Sequence, residues 1–327
     1  MIVDILFGYM ATQCLYVASQ LHIADHLVSG EKNIAELAAQ SNCDADSLYR
    51  IMRCLAQRGV FYEKEDKIFA LNDDARLLIS SNPNTLNPFL AVCGEELYQA
   101  AGDLLHTVKK GEPAFDHHFK ADFWCYLNKH SDKAKLFNDA MESSFNSTLL
   151  EIMHAYNFSL AKKIIDVGGG KGHLVCAILK NNPTAYGIVY DLPYSEDHAN
   201  DLISSNHLSS RCKFIKGDFF ESVPEDGDLY LLRVILHDWS DEEAIKILKN
   251  CRKVIAKNGK LMIIERVIMD DEYKASTCLC DINMLVALTG KERTEKEYEH
   301  LLNQAGFKLN RLIQTKTAYS MIEAEAL

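Results

Sequence analysis

From Lys163 to the C-terminus the chain alternates short apolar runs with amphipathic stretches, and this alternation constrains the fold more than any other feature. The runs are Ile164-Ile-Asp-Val, Tyr186-Gly-Ile-Val-Tyr, Cys212-Lys-Phe-Ile, Asp228-Leu-Tyr-Leu-Leu and Lys260-Leu-Met-Ile-Ile. Runs of this kind read as strands, and Leu174 to Lys180 and Asp241 to Ala256 read as helices between them. Strands that alternate with helices predict a mostly parallel sheet covered by helices on both faces. The last two runs, Gly306-Phe-Lys-Leu-Asn-Arg-Leu-Ile and Tyr319-Ser-Met-Ile-Glu-Ala, have no helix between them and predict an antiparallel pair at the end of the sheet.

The first run opens into Asp166-Val-Gly-Gly-Gly-Lys-Gly172. Glycines between a strand and a helix let the backbone approach a ligand closely. The dinucleotide fingerprint G-x-G-x-x-G fails here, because after Gly168 and Gly170 its third glycine position is His173. D-x-G-x-G-x-G fits instead, and it resembles the first motif of class I methyltransferases, in which the methionine part of S-adenosylmethionine lies over the glycines. Asp191 ends the second run, where a carboxylate can accept both ribose hydroxyls; NAD sites use the same device, so this residue alone does not choose a cofactor. Asp218 ends the third run, placed to accept from an adenine amino group while Phe219 stacks on the ring.

The N-terminal half has a different texture. Ile5, Leu6, Tyr9, Met10, Leu15, Tyr16 and Leu21 fall at helical spacing, too much apolar surface for a lone helix in water. Asn33 caps a short helix, Asp44 or Asp46 starts a second that ends near Gly59, and Val60-Phe-Tyr and Lys67-Ile-Phe-Ala-Leu make a hairpin. Helix, turn, helix and hairpin in that order make a winged helix. Such folds can bind DNA, and Arg50 and Arg53 lie on the second helix, but residues 31–76 carry seven basic and nine acidic side chains. With a chain net charge of −11, that balance disfavours a phosphate backbone. Residues 80–160 read as helical, with apolar stripes through Phe123, Tyr126 and Leu127 and through Phe137, Met141 and Phe145. The N-terminus does not read as a signal peptide, and no apolar run reaches the ~20 residues of a membrane span, which leads us to expect a cytoplasmic protein without a membrane partner. The ten cysteines are scattered without a C-x-x-C pair, consistent with reduced thiols and with no metal.

The most specific run is Leu231-Leu-Arg-Val-Ile-Leu-His-Asp-Trp-Ser-Asp-Glu-Glu, which follows the fourth strand at the sheet edge where open α/β folds bind ligands. It resembles the L-H-D-W/H-x-D segment of the plant-type O-methyltransferases, the group that includes caffeate and hydroxyindole O-methyltransferases. Tyr190-Asp-Leu-Pro, Gly217-Asp-Phe-Phe, Glu265 in Ile264-Glu-Arg, Gly290-Lys-Glu-Arg-Thr and Phe137-Asn-Asp-Ala-Met141 extend the resemblance over nearly the whole chain. One departure is Leu71-Asn-Asp-Asp-Ala75, where the family's winged region usually ends with threonine and glycine.

The resemblance implies a Rossmann-like class I methyltransferase domain over 161–327, a helical winged-helix dimerisation domain over 1–85, and a connector over 86–160 that contributes to the substrate pocket. It implies S-adenosylmethionine as cofactor, S-adenosylhomocysteine as product, a small aromatic hydroxyl acceptor, and a homodimer. His237 would be the general base, with Glu265 and Glu292 flanking its ring. The cofactor would meet Asp166, Gly168, Gly170, Gly172, Asp191, Leu192, Gly217, Asp218, Phe219 and Arg233, where many relatives carry Lys at the last position. Phe123, Trp124, Phe137, Met141, Asp238, Asn283 and Met284 would line the acceptor pocket. Some relatives of this fold bind S-adenosylmethionine yet hydroxylate or catalyse pericyclic reactions; loss of the histidine or its acidic partners would favour that alternative, and here all three are present.

Overall fold

Residues 2–327 are described by a computed structural model, and they divide into two units. The first runs through Lys109 and resumes over Ala114–Ser147; the second comprises Lys110–Pro113 and Thr148–Leu327.

In the first unit, helices Ile2–Leu6 and Gly8–Gln20 precede helices Ile34–Gln40 and Ala45–Gln57. Asn33 caps the third of these with a reciprocal Glu36 contact, and the Asp44 side chain accepts from Ser47 N at the start of the fourth. Strands β1 (Lys32–Asn33), β2 (Tyr62–Lys64) and β3 (Ile68–Ala70) form an antiparallel sheet in the order β1-β3-β2. β2 begins two residues later than Val60-Phe-Tyr predicts, because Phe61 sits buried with φ +74°, outside the strand region. Leu37, Leu48, Met52, Leu55, Phe61 and Phe69 close this core.

The second unit is built on seven strands: β4 (Lys163–Val167), β5 (Tyr186–Asp191), β6 (Cys212–Lys216), β7 (Leu229–Arg233), β8 (Lys260–Arg266), β9 (Phe307–Gln314) and β10 (Tyr319–Ala326). Their order is β6-β5-β4-β7-β8-β10-β9, parallel from β6 to β8 and antiparallel where β10 lies between β8 and β9. The antiparallel ending expected from the helix-free link between the last two runs is therefore present. The strand order reverses direction between β4 and β7, so their carboxyl ends open a crevice where an open sheet binds ligands.

Alternate residues of these strands serve the two faces. Ile165, Val167, Leu232, Ile263 and Ile322 join Ile247 and Leu248 of helix Asp241–Val254 and Leu301 and Leu302 of helix Glu295–Gln304 in one core. On the other face Gly187 lies against Val175 and Leu179 of helix His173–Asn181; a Cβ there would come within 2.6 Å of Val175. Capping boxes at Ser240/Glu243 and Thr294/Glu297 start the two former helices, and Asp241, Glu242 and Glu243 in the first turn with Arg252 and Lys253 in the last match the helix dipole.

Ile165 is fully buried at the centre of the sheet, whereas Leu160 just before β4 is 84% exposed. Ile165→Ala should lower the unfolding free energy by about 2–5 kcal/mol through lost burial and a residual cavity. Leu160→Ala should change it by no more than about 0.5 kcal/mol. Denaturant titration of both variants checks the difference.

Candidate active site

At the end of β4 the chain turns through Gly168 (φ +68°), Gly170 (+55°) and Gly172 (+83°), a conformation that favours residues without Cβ. Gly168 N and Gly169 N both donate to Tyr190 O (2.8 and 3.3 Å), which ties the turn to β5. Packing excludes side chains at two of the three positions. A Cβ on Gly168 would come within 2.4 Å of Ile235 Cδ1, and one on Gly172 within 2.5 Å of Val189. Nothing lies within 4 Å of the Cβ position at Gly170, so there the backbone faces open space that another molecule can occupy.

Carboxylates surround this turn. Asp191, at the end of β5, accepts from Gly170 N (2.7 Å) through one oxygen and from Leu192 N (2.6 Å) through the other, and burial raises its pKa. Asp166 is buried behind the glycines, its carboxyl carbon 2.9 Å from where a Gly169 Cβ would lie. Burial pushes Asp166 up to about 7 against the opposing pull of the Arg233 guanidinium. Arg233 itself, at the end of β7, lies over the Tyr319 ring (5.8 Å) and feels the charge of Asp166. Asp218 follows β6 and accepts from Phe220 N (2.8 Å). Phe219 lies 3.5 Å from the Cβ position of Gly168, and Gly217 packs against Tyr190, whose hydroxyl would be 2.3 Å from an added Cβ. An open glycine backbone, acids at two adjacent strand ends and an aromatic edge thus converge at one end of the sheet.

His237 stands next to this crevice. It lies in a single 3-10 turn, Leu236–Asp238, entered through Val234, a β-branched residue at φ +55°. That conformation is strained for valine and persists only where its surroundings impose it. Glu265, fully buried at the end of β8, imposes it: one oxygen accepts from Ile235 N (3.0 Å), Leu236 N (2.5 Å) and His237 N (3.3 Å). The other oxygen receives the Tyr298 hydroxyl.

The two glutamates expected at the ring therefore divide their work. Glu292 Oε1 holds Nδ1 at 2.9 Å, while Glu265 grips the backbone. Nε2 faces Asp238 Oδ1 at 3.3 Å. Burial alone would lower the His237 pKa, but Asp238, Glu292 and Glu265 outweigh it and push the imidazole up to about 10. Asp238 rises to about 7 through burial, despite the opposing charge of His237. An imidazole oriented by a carboxylate at Nδ1 can exchange a proton at Nε2.

Of the expected acceptor-pocket residues, Phe123, Trp124 and Phe137 make mutual edge-on contacts in the first unit, with ring centroids 5.3, 5.3 and 5.8 Å apart, and Met141 follows Phe137 by one helical turn. Asn283, partly exposed, and Met284, buried, lie on helix Lys274–Ala287 of the second unit. Three contributors escaped the sequence reading: Tyr298, Arg293 and the close approach of Gly290, where a Cβ would fall 1.9 Å from His237 O. The run Gly290-Lys-Glu-Arg-Thr was visible, but nothing in its spacing reveals which backbone it touches.

Comparison with known proteins adds an independent line. The model of the family described as O-methyltransferase domain matches residues 102–308, and that of the O-methyltransferase dimerisation domain matches residues 3–81. The chain is 39% identical to phenazine O-methyltransferase PhzM of Lysobacter antibioticus, with 100% of this chain and 96% of that protein aligned. It is 31% identical to phenazine-1-carboxylate N-methyltransferase of Pseudomonas aeruginosa, over 99% and 96% of the two chains. Among solved structures, CalO1, a methyltransferase in calicheamicin biosynthesis in its SAH-bound form, superposes with a TM-score of 0.90 at 30% identity, covering 100% of this chain and 97% of that one.

The raised pKa of His237 carries a sign that can be checked. A group raised in the folded state stabilises the protein fully below its unfolded value of about 6.5, and that contribution is lost as pH rises through about 10. Glu292→Gln removes one of the three raising charges, so the imidazole should titrate at lower pH than in the parent protein. Histidine ring NMR across pH 6–11 reads both midpoints.

Proposed function

The chain belongs to the O-methyltransferase family and is an S-adenosylmethionine-dependent O-methyltransferase, and from that premise we propose that His237 is its general base. The observation that carries this assignment is the carboxylate at 2.9 Å from Nδ1, which orients a buried imidazole beside the cofactor crevice. The residues present fit the cofactor. The open backbone at Gly170 would receive its methionine part, Asp191 its ribose, and Asp218 with Phe219 its adenine, while Gly168, Gly172, Leu192 and Gly217 shape the backbone around it. Asp166 and Arg233 support the turn from behind. When bound, S-adenosylmethionine supplies an electrophilic methyl group on a sulfonium.

The protein's own task is to expose an oxygen nucleophile to that methyl group. An ordinary phenol and an ordinary histidine differ by roughly 3.5 pKa units, or about 4.8 kcal/mol against proton transfer. Glu292 and Glu265, which keep their places when the acceptor replaces Asp238, raise the basicity of the imidazole and narrow that gap. The neutral imidazole is the active form, so turnover should rise with pH until His237 has lost its proton. Asp238, now on Nε2, would give way to the acceptor hydroxyl and take part in the acceptor pocket. Asn283 and Met284, on a helix of the second unit, are proposed for that pocket.

The named activity of the phenazine relative supports a small aromatic acceptor. We also assign dimerisation to residues 1–85, a connector to 86–160 and catalysis to 161–327. Val3, Ile5 and Leu6, which the dimerisation match includes, are 62–74% exposed, and a second copy of the chain would cover them. No helix among the described residues is long and apolar enough to cross a membrane. The ten cysteines, all free thiols, support a cytoplasmic location.

Incubation with S-adenosylmethionine and a panel of phenols, indoles, quinones and polyketides should yield a product heavier by one methyl group on oxygen. A methyl group on nitrogen would assign the activity of the second relative, and an added oxygen or a rearranged product of unchanged mass would favour the non-methylating alternative. His237→Ala should abolish turnover and leave S-adenosylhomocysteine affinity nearly intact; near-parental methyl transfer by that variant would refute the base assignment. Ile5→Asp with Leu6→Asp should shift the chain from dimer to monomer in light scattering.

A further inference from the structure

Arg293 has no exposed surface, yet it carries a full charge into the interior. Its Nη1 donates to Leu236 O (2.8 Å) and its Nη2 to Trp239 O (2.8 Å), the two carbonyls that bracket His237 and Asp238. Nε donates to Asp241 Oδ1 (2.9 Å), at the start of the next helix. A buried guanidinium of this kind is costly unless nearly every donor is satisfied, and here each nitrogen has an acceptor.

The backbone of Arg293 is itself fixed. Ile268 N donates to Arg293 O (2.9 Å), and Val267 and Arg293 form a parallel bridge directly after β8. β8 is the strand that carries Glu265. The turn holding His237 is thus gripped from two sides by groups anchored to one strand end. An anion collects its N–H groups at Ile235, Leu236 and His237, and a cation collects its C=O groups at Leu236 and Trp239.

We infer that Arg293 is a positioning residue for His237, its planar fork fixing the turn that aims the imidazole. This inference rests on the reading of His237 as the base for its catalytic consequence, but its geometric part stands without that reading. Lysine cannot replace it, because a single ammonium on a flexible stem does not span two carbonyls three residues apart in a fixed plane. Gly290 and Glu292, in the same segment, touch His237 O and Nδ1, so loosening Arg293 disturbs the ring from the side that orients it.

Two readouts test this in full-length protein. In Arg293→Lys, histidine ring NMR without any ligand should show the His237 resonances shifted and its titration displaced. With a hydroxylated phenazine, or whichever phenol the acceptor panel identifies, kcat should fall about 10–100-fold while S-adenosylhomocysteine affinity by calorimetry stays within about twofold. In Arg293→Ala, millimolar guanidinium should restore part of the lost rate, and it should do nothing for His237→Ala. Should Arg293→Ala not fold, Arg293→Lys decides alone. Unchanged ring signals with unchanged kcat overturn the inference. So does loss of kcat and S-adenosylhomocysteine affinity in equal proportion with the ring unmoved, which is the signature of a general structural role. An active His237→Ala would refute the base assignment and leave the NMR test of the clamp standing.

Discussion

One buried carboxylate organises the site: Glu265 accepts three consecutive backbone N–H groups and a tyrosine hydroxyl. Backbone donors in a tight turn are hard to satisfy away from water, and each one left unpaired in the interior costs about 1–3 kcal/mol. By satisfying all three, Glu265 lets the chain leave β7 through a strained valine and place His237 in the interior. The same carboxylate adds its charge to those that raise the His237 pKa, so one residue serves both geometry and basicity.

The glycine turn and the histidine turn are neighbours in more than sequence order. Ile235, whose N–H Glu265 holds, packs into the space that a side chain on Gly168 would need. The glycine turn and the histidine turn are thereby packed directly against each other at the topological switch of the sheet. A reaction that requires an oxygen, a methyl carbon and a sulfur in line depends on such mutual placement, since displacements of about 1 Å can cost roughly 100-fold in rate.

Local features of the sequence were legible, and long-range ones were not. The glycine turn, the caps at Asn33 and Asp44, and the parallel sheet with its antiparallel ending follow from patterns within a few residues or from the alternation of elements. The importance of Glu265 was readable through family resemblance, but its grip on the backbone was not, because that contact joins residues 28–30 positions apart. Arg293 acts across 57 positions on Leu236, and a buried arginine leaves no signal in apolar periodicity. Arg233 shows the opposite case: its place at a strand end was foreseeable, but its contact with Tyr319 depends on β10, which reaches that end of the sheet only through the antiparallel pair.

A base at His237 would receive the acceptor's proton through Nε2. The most direct measurement is the Nε2-to-acceptor-oxygen distance in a crystal of the ternary complex with S-adenosylhomocysteine and a methylated acceptor's unmethylated parent. A distance of about 2.6–3.2 Å is expected, with Asp238 displaced from its present place on Nε2. An acceptor oxygen bonded elsewhere, with Asp238 still seated on Nε2, would contradict it.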